Sequence, residues 1–361
     1  MRRAALEELK PILTTGGSEI ATTEKTAPSA NDSASSTAGA DSLEQAWLAL
    51  ADENVSHTQR KTLELRLAQH PQASVTALER LVLEKRRPVA SAWEPLLERL
   101  IPEYHAARSL AVDDLAQRRQ AAGELADHAR HHPLSRLVLK LVRDHLRHES
   151  DPMVWQSLVN AASTSDAPEA AAVNELALEH PIADIRRCAC VYFRTHPAHA
   201  DPQSLLPLVD DESEPVCVAA IDALGRIPDA KTLPTLREKL ASPSKAVALA
   251  AATALARVRD EQGLAALERW AYDPDAVFRR EVARRMAEVG DRTFLGTLVM
   301  LLDDADESVR LAALRGLEST WPDIAAQLEN QGDTPRNRMA AWRAWYRQTA
   351  GSTSIETPFR R

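Results

Sequence analysis

Six apolar residues recur at a constant interval of 31 positions from residue 154 onwards. These anchors are Val154, Ile185, Val216, Val247, Phe278 and Val309. Two further apolar columns follow in the same register, four and eight residues after each anchor. Positions 0, 4 and 8 lie on one face of an α-helix, because the helix has about 3.6 residues per turn. The pattern therefore predicts one buried inner helix, repeated six times.

A second apolar helix precedes the anchor helices, most plainly at residues 298–302. Acidic or proline-containing turns separate the two helices of a pair, and we expect their residues to cap the inner helices. These turns lie at 210–211, 242–243, 273–274 and 303–304. A pair of short helices buries its apolar faces only by stacking on neighbouring pairs, so the repeats predict one continuous core.

Two segments carry a resemblance to a known family: LGRIPDA at 224–230, followed by LPTL at 233–236, and LLDDADESVRLAAL at 301–314. They resemble short HEAT repeats of the bilin-lyase type. The resemblance is strongest over residues 203–320. It implies an all-α fold, a right-handed α-solenoid of HEAT-like helical hairpins, and a family made up largely of binding scaffolds with a few enzymes.

The remaining sequence divides the chain into four parts. Residues 1–41 are expected to form a short helix followed by a disordered linker, because 14–41 contain almost no large apolar side chain. Residues 42–132 predict short antiparallel helices without an alignable repeat. The repeat array is expected over 133–330, and a C-terminal capping helix and tail over 331–361.

Composition restricts the cell compartment and the partners. The net charge of −8 disfavours a protein that binds nucleic acid with its whole surface. The three cysteines form no CxxC motif, which fits a reducing environment. The first ten residues lack the apolar core of a secretory signal, and no apolar run is long enough to span a bilayer. We therefore expect a cytoplasmic protein that is not bound to a membrane.

No motif predicts catalysis, a cofactor or a metal site. His128 and His132 have the spacing of a helical metal pair, but Pro133 follows at once and no HExxH motif is present. The HEAT-containing deoxyhypusine hydroxylases hold two irons with several His-Glu pairs, whereas only His148-Glu149 occurs here. Cys188 and Cys190 point about 200° apart on a regular helix and cannot share a metal. We predict a protein that is not an enzyme.

Arginine is concentrated on the predicted inner helices. The windows 184–196, 215–227, 246–258, 277–289 and 308–320 together hold 11 arginines and 5 acidic residues. Positions 2, 6, 9 and 10 after the anchor face away from the buried stripe, which predicts an arginine-bearing concave groove. The candidate contacts at these positions are Arg187, Arg194, Arg226, Arg257, Arg280, Arg284 and Arg315.

These arginines leave two interpretations open. They could pair with Asp222, Glu281, Glu288, Glu318 and turn aspartates to support the solenoid, or they could bind carboxylates or phosphates. The leading hypothesis is a scaffold that binds an acidic or extended segment of another protein in the groove. A nucleic-acid-binding protein similar to HEAT-like DNA glycosylases and a bilin lyase or chaperone are the alternatives, and nucleic acid is the less favoured partner.

Overall fold

The computed structural model describes residues 41–227, 229–328 and 334–352. Within these ranges the regular elements are helices and no strand occurs, as the sequence predicts. The described residues form two compact units that divide after residue 100, whereas the sequence predicts a boundary at 132. The predicted N-terminal helix and linker lie outside the described residues, apart from residue 41.

The first unit is built around two tryptophans. Its helices are α1 (41–50), α2 (His57–Gln69), α3 (Pro71–Glu79) and α4 (Glu94–Leu100). The rings of Trp47 and Trp93 meet edge to face at 5.8 Å. Trp47 donates to the carbonyl of Ser74 and Trp93 donates to the carbonyl of Trp47, each at 2.8 Å. Both indole N–H groups are therefore satisfied inside the core.

The second unit is a stack of helical hairpins. Its helices are α5 (Tyr104–Ser109), α6 (Leu115–Ala129), α7 (Arg136–Leu146), α8 (Pro152–Ala162), α9 (Pro168–Leu178), α10 (Ala183–Thr195), α11 (Pro202–Leu205), α12 (Glu214–Leu224), α13 (Leu233–Lys239), α14 (Lys245–Arg257), α15 (Glu261–Trp270), α16 (Ala276–Val289), α17 (Leu295–Leu301), α18 (Glu307–Thr320), α19 (Pro322–Leu328) and α20 (Pro335–Ser352). A 3-10 segment, Leu206–Asp210, extends the short helix α11.

The predicted register of the inner helices is confirmed. The six anchors fall on α8, α10, α12, α14, α16 and α18, and none is more than 8% exposed. The six residues four positions later are all 0% exposed. Alanine predominates in that middle column, so neighbouring inner helices approach closely along it.

One more hairpin precedes the predicted array. Helix α6 packs against α8 as α10 packs against α12, and α5 and α7 lie on the outer side. Ala121, Leu125 and Ala129 of α6 are buried at the same four-residue spacing. The interval from Ala121 to Val154 is 33 residues rather than 31. The solenoid therefore begins inside the region for which no repeat was predicted.

The turn aspartates do not cap the inner helices as predicted. The caps lie two to three residues later, where Ser244, Asp275 and Asp306 accept from backbone N–H groups. Asp211 and Asp304 of the turns instead accept bidentate hydrogen bonds of 2.7–2.8 Å from Arg186 and Arg279 of the preceding inner helices.

These bidentate bonds join successive repeats. They hold the pKa of both turn aspartates below its usual range, chiefly through the arginine hydrogen bonds. The supporting role that the sequence left open for arginines thus applies to Arg186 and Arg279, which are not among the predicted groove contacts.

Helix α20 closes the end of the stack. Met339 and Trp342 are buried in the same core as α16 to α18, and Trp345 and Tyr346 pack against it. Arg338 pairs with Glu318 of α18 at 2.8 Å. These contacts lie in the segment for which the sequence predicts a capping helix.

A candidate binding surface on the inner helices

The exposed side of the inner helices carries an excess of arginine after internal pairing. All five acidic residues of the inner-helix windows form ion pairs with arginine. They are Asp184, Asp222, Glu281, Glu288 and Glu318. Within these five windows every acidic residue is therefore already paired.

Three acidic residues and three arginines form one cluster, which we call the α16 cluster. It consists of Asp222, Arg257, Glu281, Arg284, Arg285 and Glu288. Arg284 donates to Glu281 at 3.0 Å and also pairs with Glu288. Arg285, whose side chain is only 10% exposed, donates to Asp222 at 2.8 Å.

The contact between Arg285 and Asp222 spans an intervening helix. Asp222 lies on α12 and Arg285 on α16, with α14 between them in the stack. The residues of α14 at the equivalent positions are Thr253 and Ala254, which are 0% and 2% exposed. Because these side chains are short, the long arginine reaches across them, and the hydroxyl of Thr253 is satisfied by the carbonyl of Leu249 at 2.7 Å.

The charged groups of the cluster shift one another's pKa values. The Glu281 carboxylate raises the pKa of Arg284, and Arg284 lowers the pKa of Glu281. Burial, together with the neighbouring Arg226, lowers the pKa of Arg257. Arg226 therefore lies close enough to add its positive charge to the cluster.

The seven predicted contacts fall into two groups. Three take part in internal ion pairs: Arg187 with Asp184 at 3.4 Å, Arg257 with Glu288 at 3.6 Å, and Arg284 as described above. The other four are exposed, and within the described ranges they make no ion pair. They are Arg194, Arg226, Arg280 and Arg315.

The structure brings only some of the predicted contacts together. Arg257 and Arg284 both approach Glu288. Arg226 acts on the cluster only through its charge, which helps to lower the pKa of Arg257. Within the part of the chain that is described, no ion pair links Arg187, Arg280 or Arg315 to the cluster.

Comparison with known proteins addresses the repeats directly. Residues 202–283, from α11 into α16, match the family model of HEAT repeats. The protein contains HEAT repeats. The match confirms the resemblance to HEAT repeats and covers three of the six residues of the α16 cluster, Asp222, Arg257 and Glu281. A comparison with curated proteins found no match.

Several solved structures are similar to the chain. The complex of CpcE and CpcF of phycocyanin lyase from Nostoc sp. has 20% identity and a TM-score of 0.44, over 67% of this chain and 94% of that one. The Escherichia coli protein YibA has 14% identity and a TM-score of 0.43, over 84% and 99%. Human deoxyhypusine hydroxylase has 15% identity and a TM-score of 0.28, over 81% and 98%.

Sequence reasoning missed Arg285, the most buried arginine of the HEAT array's charged surface. Its position, seven residues after the anchor, borders the buried stripe and was not counted as exposed. The equivalent residues are Ala161, Tyr192, Ala223, Ala254 and Gly316. A single arginine in a column without any other charge was the signal that could have identified it.

Trp155, the sole tryptophan of the inner helices, is not an exposed stacking surface. It is 7% exposed, its ring centroid lies 4.7 Å from that of His180, and its indole N–H donates to the carbonyl of Glu149. A stacking role, which a glycosylase-like site would require of it, is not available in this conformation.

The residues considered for metal binding have structural partners. His128 lies 3.6 Å from Glu103, and in the described residues no group of three metal-ligating side chains occurs. Cys217 donates to the carbonyl of Asp211, and burial raises the pKa of the Cys190 thiol to about 12. The Cys190 thiol therefore remains protonated near neutral pH. Among the described helices, none combines the length and hydropathy needed to cross a bilayer.

Proposed function

We propose that this HEAT-repeat protein is a non-enzymatic scaffold of the cytoplasm. In this proposal the exposed arginines of the inner helices bind an acidic or extended segment of another protein. The stacked hairpins support this proposal, because solenoids of this kind present extended surfaces that are suited to elongated partners.

One observation carries the proposal. Every acidic residue of the five inner-helix windows is already paired, while Arg194, Arg226, Arg280 and Arg315 are exposed and make no ion pair within the described residues. Guanidinium groups form bidentate hydrogen bonds with carboxylates, and unpaired arginines retain all their donors for a partner. The chain as a whole has a net charge of −8, so this positive excess contrasts with the rest of the molecule.

A carboxylate-bearing partner fits this surface better than a nucleic acid does. A duplex presents one negative charge per about 1.7 Å, and its binding commonly uses many phosphate contacts. Four unpaired arginines spread over α10 to α18 supply few such contacts, and the single inner-helix tryptophan is buried.

Charge reversal with a matched control tests the proposal. Partners would be captured with the full chain and identified by mass spectrometry, and their acidic segments would be synthesised with a fluorescent label. Changing Arg226, Arg280 and Arg315 together to Glu should weaken binding of such a segment by about tenfold or more, because each charge-assisted hydrogen bond contributes about 1.5–3 kcal/mol. Fluorescence anisotropy measures the change in Kd.

The control reverses three cationic residues that lie outside the inner helices. Lys231, Arg269 and Arg292 are exposed, and their change to Glu alters the net charge equally. Binding by this control should stay within about threefold of the parent and should weaken with salt in the same way. Equal losses in the two variants, or captured partners without acidic segments, would contradict the proposal.

A further inference from the structure

Three arginines stand near the C-terminal ends of consecutive inner helices, and we call them the row. Arg194 lies nine positions after its anchor near the end of α10, Arg226 lies ten positions after its anchor just beyond α12, and Arg257 lies ten positions after its anchor at the end of α14. The three helices pack against each other in order. Because the axes of packed helices are about 8–10 Å apart, we expect about that distance between successive arginines of the row.

The donors of this row are largely unused. Arg194 and Arg226 are exposed, and no ion pair to either is formed within 41–227, 229–328 and 334–352. Arg257 has a side chain that is only 16% exposed, and its acidic neighbour Glu288 is 3.6 Å away, beyond hydrogen-bond distance. The ion pair with Glu288 is the one that Arg257 makes within the described residues.

Glu288 occupies the next position of the row and is shared by several arginines. It pairs with Arg284 and lies 3.6 Å from both Arg257 and Arg285. The ion pairs around it join three arginines, Arg257, Arg284 and Arg285, to three acidic residues. Within the described residues Arg194 and Arg226 have no anion of their own, while Glu288 repels an anion at its own position.

An extended peptide matches the spacing of this row. In the polyproline II conformation three residues advance the chain by about 9 Å and complete one turn, so every third side chain points the same way. Acidic residues at that interval would meet successive arginines, whereas adjacent acidic residues would point in different directions.

We propose that Arg194, Arg226 and Arg257 bind an extended protein segment with acidic residues at every third position, and that Glu288 ends the site. This inference rests on the proposed function and specifies its ligand. Arg280 and Arg315, on α16 and α18, lie outside the row.

Two labelled peptides of identical composition test the spacing. Both contain three glutamates among alanine and proline. In one the glutamates occupy every third position, and in the other they are adjacent. The full chain should bind the spaced peptide about tenfold more tightly. Equal affinity of the two peptides would overturn the inference but leave the scaffold proposal intact, whereas failure of both peptides and of every natural acidic segment would remove the scaffold proposal too.

Single substitutions test the residues of the row. Arg194→Gln, Arg226→Gln and Arg257→Gln should each weaken binding of the spaced peptide about tenfold. Arg292→Gln, an equal change of charge outside the inner helices, should alter it less than about twofold. Thermal unfolding of each variant checks its folding, and the two exposed positions 194 and 226 keep the test valid if the half-buried Arg257 is needed for stability. A loss with Arg292→Gln as large as that of the row would overturn the assignment.

Glu288 provides a test with the opposite sign. Glu288→Gln should tighten binding of the spaced peptide about threefold or more, because it removes the internal competitor for Arg257. Glu307→Gln, an exposed acidic position on α18, makes the same change of net charge and should leave the affinity unchanged. A duplex DNA oligonucleotide completes the test: if it binds the row more tightly than the spaced peptide, the occupant is a nucleic acid and the inference fails.

Discussion

Arg285 and Asp222 approach within 2.8 Å although 63 residues separate them along the chain. Each side chain is only 10% exposed, and Arg285 also lies near Glu281 and Glu288 at 3.4 and 3.6 Å. Removing one member of a buried pair leaves the other charge without its partner in a poorly solvated place. At the scale of single residues, breaking this pair should therefore destabilise the array more than breaking an exposed ion pair.

Asp222→Ala tests this difference. It should lower the free energy of unfolding by about 2–3 kcal/mol, because Arg285 loses a buried charge-assisted hydrogen bond. Arg284→Ala removes an arginine whose side chain is 51% exposed and should cost less than about 1 kcal/mol. Urea unfolding followed by circular dichroism measures both. Similar losses in the two variants would show that burial of the pair has no energetic consequence.

The sequence predicted part of this charged surface. It indicated that arginines concentrate on the inner helices, and it named Asp222, Glu281 and Glu288 as possible partners. It did not predict that Arg285 crosses α14, because a contact between residues two repeats apart depends on how closely the helices approach. That approach depends on Thr253 and Ala254 being buried, and a linear pattern contains no such distance.

At the scale of helices, the prediction was most accurate where the repeat interval was constant. The 31-residue register fixed the buried face of every inner helix from α8 to α18. It failed for α6, where the interval is 33 residues and two of the three buried positions are alanine. Alanine is common on any helix, so its periodicity alone did not distinguish a buried face from a solvated one.

Two glycines provide a matched test of helix packing. A Cβ added to Gly263 of α15 would lie 2.5 Å from the Cβ of Leu255 and 2.8 Å from the backbone nitrogen of Ala256. Gly263→Ala should therefore force α14 and α15 apart and cost about 1–3 kcal/mol. The stability of each variant would be measured by urea unfolding.

Gly123 of α6 serves as the control, because nothing lies within 4 Å of the equivalent Cβ. Gly123→Ala should stabilise the protein by about 0.5–1 kcal/mol through helix propensity alone. If the two substitutions shift the midpoint in the same direction, the described contact between α14 and α15 is wrong.

At the scale of the whole repeat array, stability depends on neighbours. Each repeat mainly contacts the adjacent ones, so the last inner helix needs a cover, and α20 supplies it with Trp342, which is 1% exposed. The aromatic spacing predicted this cap. The division after residue 100 was not predicted, because helices on both sides of it have similar amphipathic patterns.

Trp342→Ala should loosen the array from its C-terminal end. Loss of this buried indole should cost about 3–5 kcal/mol, and the effect should be largest in the helices that it covers. Hydrogen exchange should become faster in α17 and α18, while α8 and α10 keep their protection. Uniform acceleration along the array would mean that the unit unfolds as a single body and that α20 has no local role.

The contact across α14 also restricts how this array can change in length. Hairpins of constant size are readily gained or lost by duplication and deletion, since each new copy finds a matching neighbour. A hairpin inserted between residues 222 and 285 would move the two charges further apart. Removal of the hairpin between them would bring the two charges onto adjacent inner helices. We therefore expect natural and engineered length variants to tolerate changes near the ends of the solenoid, and to preserve a single hairpin between these two residues.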